Sequence, residues 1–345
     1  MRRFLKFAIL LLWTKSFSQD VVITYNRKID LPKANFFITD IVDARSEHTY
    51  LGVVQTGIAN NPAGARFKDS LDFELRKLLG KMTTKNDSSA VPVILRVQKI
   101  FIYEKTTLHN ETGNAEVMLE FYYRSPDGIR LLKSTAANDT RRGIDVTNGL
   151  GNSIVKCIQN CLQQLNTHLA ANGLTFETRN VFAFNSLRRT SEITDDYEFN
   201  IFKDAELKNG VYRSFVEFRN NNPGITGKIF LVERENPAGQ VYKAHRGHLK
   251  ANGKRMNDIW GYSEGDKIFI KAGDEFFELH FDNGYFWFTG YEIADQHLRV
   301  KNVGKTLFTA AFTGWVFLTY QVEWTSQRRK YAINMGNGEF FPLED

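Results

Sequence analysis

Cysteine and proline are scarce: 2 and 7 among 345 residues. Two thiols cannot staple a disulfide mini-scaffold, and with 7 Pro and 25 Gly the chain is no collagen. Bulk disorder is excluded as well, because 42% of the residues are hydrophobic. No internal repeat or low-complexity tract stands out. A surplus of one charge is missing too, although the formal net charge is +6. Residues 1–19 hold Arg2, Arg3, Lys6 and Lys15 and no acid. Taking these four from the 45 basic residues leaves 41 against 39 acidic. Residues 20–178 carry 19 basic and 17 acidic side chains, and residues 179–345 carry 22 of each. Neither half is a polycation, and the aromatics are not interleaved with basic residues. Both facts argue against a nucleic-acid partner.

What is present begins with a targeting pattern. Arg2, Arg3 and Lys6 precede the apolar run Phe7–Trp13, and Ser16-Phe17-Ser18-Gln19 supplies small residues for cleavage. Positive, apolar and small residues in this order predict a secretory signal over 1–19. Seven apolar residues fall short of the roughly 20 that span a bilayer. No cysteine follows the run, which argues against a lipid anchor on an N-terminal Cys. Export places the protein in the periplasm or at the outer membrane. Cys157 and Cys161 lie four apart on a helical pattern, too far for an unstrained disulfide, and read as buried small hydrophobes. An intermolecular disulfide is the alternative in an oxidising compartment.

The pattern predicts an α+β fold in two units. The first, residues 20–174, reads as an antiparallel sheet packed by two amphipathic helices. Strands are expected at 21–25, 35–43, 91–97 and 115–123, the last two half-buried by their alternation. A loop is expected from Gly52 to Gly64. Phe67, Leu71, Leu75, Leu78, Leu79 and Met82 form one helical stripe, and Leu150 through Leu169 form another that stops at Asn172-Gly173. Residues 175–206 read as a transition. The second unit, residues 207–345, reads as an aromatic-rich meander behind a short helix. Ser214 and Glu217 fit the box that caps that helix, and Asn283-Gly284 is a tight-hairpin signal.

Two resemblances accompany these patterns. Ile38-Thr39-Asp40-Ile41-Val42-Asp43-Ala44-Arg45, then Leu51-Gly52 and a Leu-rich helix, resembles YajG-type bacterial envelope lipoproteins over residues 20–172. That resemblance implies a periplasmic α+β module without agreed catalytic residues. The family's lipidated Cys has no counterpart here, so its anchor does not carry over. Asn209-Gly210-Val211-Tyr212, Phe215, Glu217-Phe218 and Asn222-Pro223, with Asp258–Tyr262 and Lys267–Ile270, resemble a family of secreted Bacteroidota proteins over residues 207–345. It implies a compartment and no established activity.

The motifs that suggest chemistry each meet a simpler reading. Gly261-Tyr262-Ser263-Glu264-Gly265 matches the G-x-S-x-G nucleophile elbow, with His280, His297, Asp282 and Asp295 downstream. The following Lys267–Ile270 reads as a strand, so a strand–turn–strand is expected in place of strand–elbow–helix. His245-Arg246-Gly247-His248 lacks a third ligand, and no metal or cofactor is expected. Asn148-Gly149-Leu150-Gly151-Asn152 lacks the Lys and spacing of a phosphate loop. Asp40 and Asp43 sit three apart on a strand and face opposite sides. Trp260, Tyr262, Tyr285, Trp287 and Tyr291 are candidates for a glycan- or peptide-binding face, with core packing the simpler alternative. Residues 306–322 carry no charge. They read as a buried hairpin or helix, or as a membrane contact through Phe308, Phe312, Trp315 and Phe317. Together these readings predict an exported, non-catalytic binding or assembly module with an envelope protein or a glycan as partner. The rivals are a membrane-associated component held by 306–322 and a serine hydrolase using Ser263.

Overall fold

The computed structural model describes residues 20–31, 33–56, 61–83, 89–106, 111–143, 145–188, 199–204, 206–233, 245–256, 259–272, 275–282, 284–292 and 325–343. Both the signal pattern and the apolar run 306–322, with Phe308, Phe312, Trp315 and Phe317, lie outside the described residues. No helix among the described residues is long and apolar enough to cross a membrane.

The first half holds strands β1 (Val21–Val22), β2 (Phe36–Asp43), β3 (Gly52–Thr56), β4 (Asn61–Arg66), β5 (Val91–Thr106), β6 (Glu111–Ser125), β7 (Gly128–Gly143) and β8 (Val181–Phe182). They make one eight-stranded sheet in the order β1-β4-β3-β5-β6-β7-β8, with β2 also on β5. Antiparallel pairing holds for the β5-β6-β7 meander, as expected. Beyond it the sheet is mixed: β2 and β3 join β5 in parallel, and β1 joins β4 in parallel. Parallel partners need a crossover. The β3-β4 hairpin and helix α1 (Leu71–Leu79) supply it between β2 and β5.

Ser70 caps α1 by accepting from the Phe73 amide. Helix α2 (Thr147–Asn172) ends where Asn172-Gly173 predicts; Gly173 turns left-handed at φ 61° and donates to Leu169 O. Both helices lie on one face of the sheet. Leu75, Leu79, Ile154, Ile158, Leu162 and Leu165 interleave there with Leu95, Val97, Val117, Leu119 and Phe121. Burying such a side chain contributes about 1.5–3 kcal/mol over leaving it exposed.

Two expectations are corrected here. The span Gly52–Gly64 is largely the β3-β4 hairpin and not a loop. Its second arm, Asn-Pro-Ala-Gly-Ala-Arg, is built from residues poor in strand propensity. The small residues are there for clearance: a Cβ on Gly64 would sit 2.4 Å from the Tyr50 ring. The second correction concerns exposure. Strands β5 and β6 are buried on both faces, since Ile94, Met118, Glu120 and Tyr122 are as buried as Leu95, Leu119 and Phe121.

Part of the stretch read as a transition, 175–206, belongs to this sheet. Strand β8 pairs with β7. Leu187 is buried with Val42, Ile94, Tyr122, Ile129 and Leu131.

The second half contains α3 (Asn200–Lys203), α4 (Phe215–Arg219) and strands β9 (Gly210–Tyr212), β10 (Ile229–Glu233), β11 (His245–Ala251), β12 (Lys254–Arg255), β13 (Gly261–Glu264), β14 (Lys267–Ala272), β15 (Glu275–Asp282), β16 (Tyr285–Glu292), β17 (Thr325–Ile333) and β18 (Phe340–Pro342). Its main path is the predicted meander, β9-β13-β14-β15-β16-β17-β18, antiparallel throughout. Asp282 pairs with Tyr285 where the hairpin was expected, and Gly284 takes φ 86°.

Half of the capping box at α4 forms as expected: Ser214 Oγ accepts from the Glu217 amide. Glu217 does not reach back to Ser214. It accepts from the amides of Arg213 and Gly224 and pairs with the Arg213 guanidinium, tying the helix to its flanking loops.

Candidate functional site at the junction of the two halves

The second half covers the middle of the sheet face that the helices leave open, beside the part covered by Leu187 and Phe182. Alternation on β6 sends Ala115, Val117, Leu119 and Phe121 towards α1 and α2. Met118, Glu120 and Tyr122 point the other way. Met118 is part of the second half's main core, with Phe218, Phe277, Phe288 and Ile333.

Glu120 sits in the middle of this face with no exposed surface. Its Oε2 accepts from Arg96 Nη1 at 3.0 Å, Gln98 Nε2 at 2.7 Å and Tyr122 Oη at 2.8 Å. From the second half, Arg219 Nη1 approaches Oε1 at 3.5 Å. Burial alone would raise the Glu120 carboxyl. The two guanidiniums and the Gln98 and Tyr122 donors outweigh it and hold the group below its usual range. Arg96 is braced by Leu187 O at 2.7 Å. Arg219, fully buried, donates to Gly336 O at 2.9 Å and Met335 O at 3.3 Å. Its guanidinium lies 4.1 Å from the Phe199 ring centre and 5.7 Å from that of Phe215, so two ring quadrupoles attract the positive charge. Two cations and one anion are thus buried where the halves meet.

A shallow cleft opens beside this cluster, lined by Arg45, Ser46, Tyr50, Lys99, Phe101 and Glu339. Glu339 belongs to the second half and accepts from Ser46 Oγ at 3.1 Å. The cations in the cleft are matched. Arg45 makes a two-pronged pair with Asp43, both contacts at 2.9 Å, and Lys99 meets Glu116 at 2.6 Å. Burial would raise the Asp43 carboxyl, but Arg45 and His48 outweigh it and hold it low. Asp43 is therefore an ion-pair partner of Arg45. Asp40 pairs in register with Ile94 and Asp43 with Val97, on opposite faces of β5.

Ser263 stands on β13, which turns at Gly265 (φ 63°) into β14. The G-x-S-x-G segment is the expected strand–turn–strand. Ser263 is fully buried and its Oγ donates to Lys208 O at 2.7 Å. Ser263 pairs with Ile268, and Ile268 with Leu279. His280, one residue further on, therefore points from the opposite face of the sheet. His297 and Asp295 lie outside the described residues. Among the described residues no group of three His, Cys, Asp or Glu side chains is placed to hold a metal. The early glycines of α2 serve close packing: a Cβ on Gly151 would meet Thr24 O at 2.0 Å, and one on Gly149 would meet the Arg141 guanidinium.

The five aromatic candidates are distributed over the second half. Trp260 stacks on Phe218 at 4.5 Å in the main core, and Tyr262 stacks on Phe269 at 4.7 Å in a separate cluster. Tyr285 and Trp287 are half-buried on one face of β16, where Trp287 neighbours His280 and Lys330. Tyr291 lies on β16 near a register shift.

The sequence pattern pointed to none of Arg96, Gln98, Glu120 and Arg219. The one available signal was negative: Glu120 is a charge set between Leu119 and Phe121 on a central strand.

A second arrangement emerges only in the structure. Ser153 and Lys156, three apart on α2, both donate to Asp139, at 2.6 and 2.5 Å. Ser153 is buried and Lys156 pairs with the same carboxylate, so this Ser–Lys pair ties α2 to β7.

Cys157 and Cys161 are free and buried, and they donate to Ala115 O and Val117 O. Burial pushes both thiols up, Cys161 to about 12. Thiolate is the reactive form. Iodoacetamide at neutral pH is therefore expected to leave both unlabelled in the folded protein and to label both in denaturant, read by intact mass.

No protein-family model, curated protein or solved structure matches the chain.

Proposed function

We propose that this chain is an exported protein of a bacterial cell envelope that acts by binding or assembly and not by catalysis. The observation that carries the export reading is the ordered N-terminal pattern of Arg2, Arg3 and Lys6, the apolar run Phe7–Trp13 and the small residues Ser16 and Ser18. The resemblances of the two halves to envelope and secreted families support the same compartment. The binding reading is supported by how the reactive candidates are used. The Ser263 hydroxyl and both thiols are buried donors to backbone carbonyls. For a ligand-bearing surface, the half-buried Tyr285 and Trp287 on β16 suit an envelope protein or a glycan. The uncharged run 306–322 favours a second reading, an envelope component in contact with the membrane.

Expression of the full chain with a C-terminal tag, followed by fractionation and N-terminal sequencing, tests this. The expected product starts near residue 20 and appears in the periplasmic pool. Retention in carbonate-washed membranes selects the membrane-associated reading. Full-length chain in the cytoplasm overturns export. A fluorophosphonate probe addresses the catalytic rival in the same samples: labelling that disappears in Ser263→Ala overturns the binding reading.

A further inference from the structure

We propose that Arg219, Glu120 and Arg96 form a charge latch that docks the second half on the open face of the first sheet and makes the two halves unfold as one unit. The latch gathers four separate parts of the chain. Arg219 stands on α4, its guanidinium lies over Phe199, it donates to the Met335–Gly336 turn, and it reaches Glu120 on β6. Apolar contacts surround it: Met118 enters the second half's core, and Ala136 and Phe182 pack against that core. Ser46 and Glu339 close the rim.

The dependence is unequal. With the second half removed, Glu120 still has Arg96, Gln98 and Tyr122. Arg219, by contrast, has Glu120 as its ion-pair partner, and its buried Nε and Nη2 make no hydrogen bond among the described residues. A buried cation without its anion is strongly unfavourable. The second half therefore relies on the first to keep its core closed around Arg219, and the first relies less on the second.

Two native signals separate the halves. Trp260, Trp287, Trp315 and Trp324 all lie in the second half, and residues 20–206 contain no tryptophan. The 26-residue α2, in the first half, dominates the helical signal, because α3 and α4 have 4 and 5 residues. In urea the intact protein is expected to lose tryptophan fluorescence and helical ellipticity in one coincident transition. In Glu120→Gln and in Arg219→Gln the tryptophan transition is expected to move to lower denaturant, by roughly 1 M urea, ahead of the helical one. Ser46→Ala, which removes a rim contact only, is expected to keep the two coincident. Coincident transitions in both latch variants overturn the proposal, as do separate transitions in the unmodified protein. If both fail to fold, Arg219→Lys decides. It keeps the charge and loses the fork. Separated transitions in that variant support the latch, and coincident ones overturn it.

Discussion

Glu120→Ala is expected to lower the stability of the protein by about 3–5 kcal/mol, because removing one partner strands buried charge. Two guanidiniums, Arg96 and Arg219, would be left without their shared carboxylate, and Gln98 and Tyr122 would lose an acceptor. Urea unfolding followed by fluorescence and ellipticity measures the loss. A deficit below about 1 kcal/mol, the level of an exposed pair, would show that water reaches the cluster. The effect carries its own pH signature. The folded-state pKa of Glu120 is depressed, so its contribution is complete above the unfolded value of about 4.3 and fades as pH falls through the folded one. The gap between Glu120→Ala and the unmodified protein should therefore be constant from pH 6 to pH 8 and narrow in acid. A gap that widens in acid would contradict the assignment of Glu120 as an ionised partner.

Gly52→Ala is expected to cost about 2–5 kcal/mol, from overpacking and backbone strain acting together. Gly52 has φ 147°, a conformation that side-chain-bearing residues rarely adopt. A Cβ there would lie 1.8 Å from Ile102 O, a backbone atom of the central strand that has no side chain to swing aside. Relief requires β3 to move off β5, and β3 carries β4 and through it β1. Thermal unfolding should shift down by several degrees, and amide exchange should rise first in residues 51–56. Protection unchanged across β3 would mean that the strand pair tolerates the methyl group, against the geometry. Gly80→Ala is a fitting control for the strain alone: Gly80 also has positive φ, 46°, but a Cβ there meets nothing within 4 Å.

Periodicity made the helix faces and the aromatic meander legible. Leu75, Leu79, Ile158, Leu162 and Leu165 face the sheet where their spacing puts them. Asn283-Gly284 marks a hairpin because its backbone demand is local. The parts that escaped notice depend on contacts between distant residues. Strand β7 alternates weakly, and its pairing with β6 organises it. The β3-β4 hairpin escaped because small residues chosen for clearance resemble loop residues. Above all, Glu116, Met118, Glu120 and Tyr122 look like the polar, watered side of a half-buried strand. Leu187 and Phe182 over Tyr122, and then the second half with Arg219 over Met118 and Glu120, 99 residues after Glu120, turn the middle of that side into an interior. The junction was invisible for the same reason: no local pattern announces that a carboxylate will be neutralised from the far end of the chain.

That separation also sets an order in time. A growing chain completes β5, β6 and β7 while α4 and the Met335–Gly336 turn are still to be made. At synthesis rates of roughly 5–20 residues per second, the stretch from Glu120 to Arg219 takes about 5–20 s. Met335 and Gly336 lie a further 116 and 117 residues on from Arg219. Leu187 and Phe182 are made early enough to cover Ile94 and Tyr122, but Met118 and Glu120 wait for the second half throughout that interval. The nascent protein therefore passes through a stage at which the patch around Met118 and Ala136 is complete in the sheet but still open to water, and it closes only when the last turn is made.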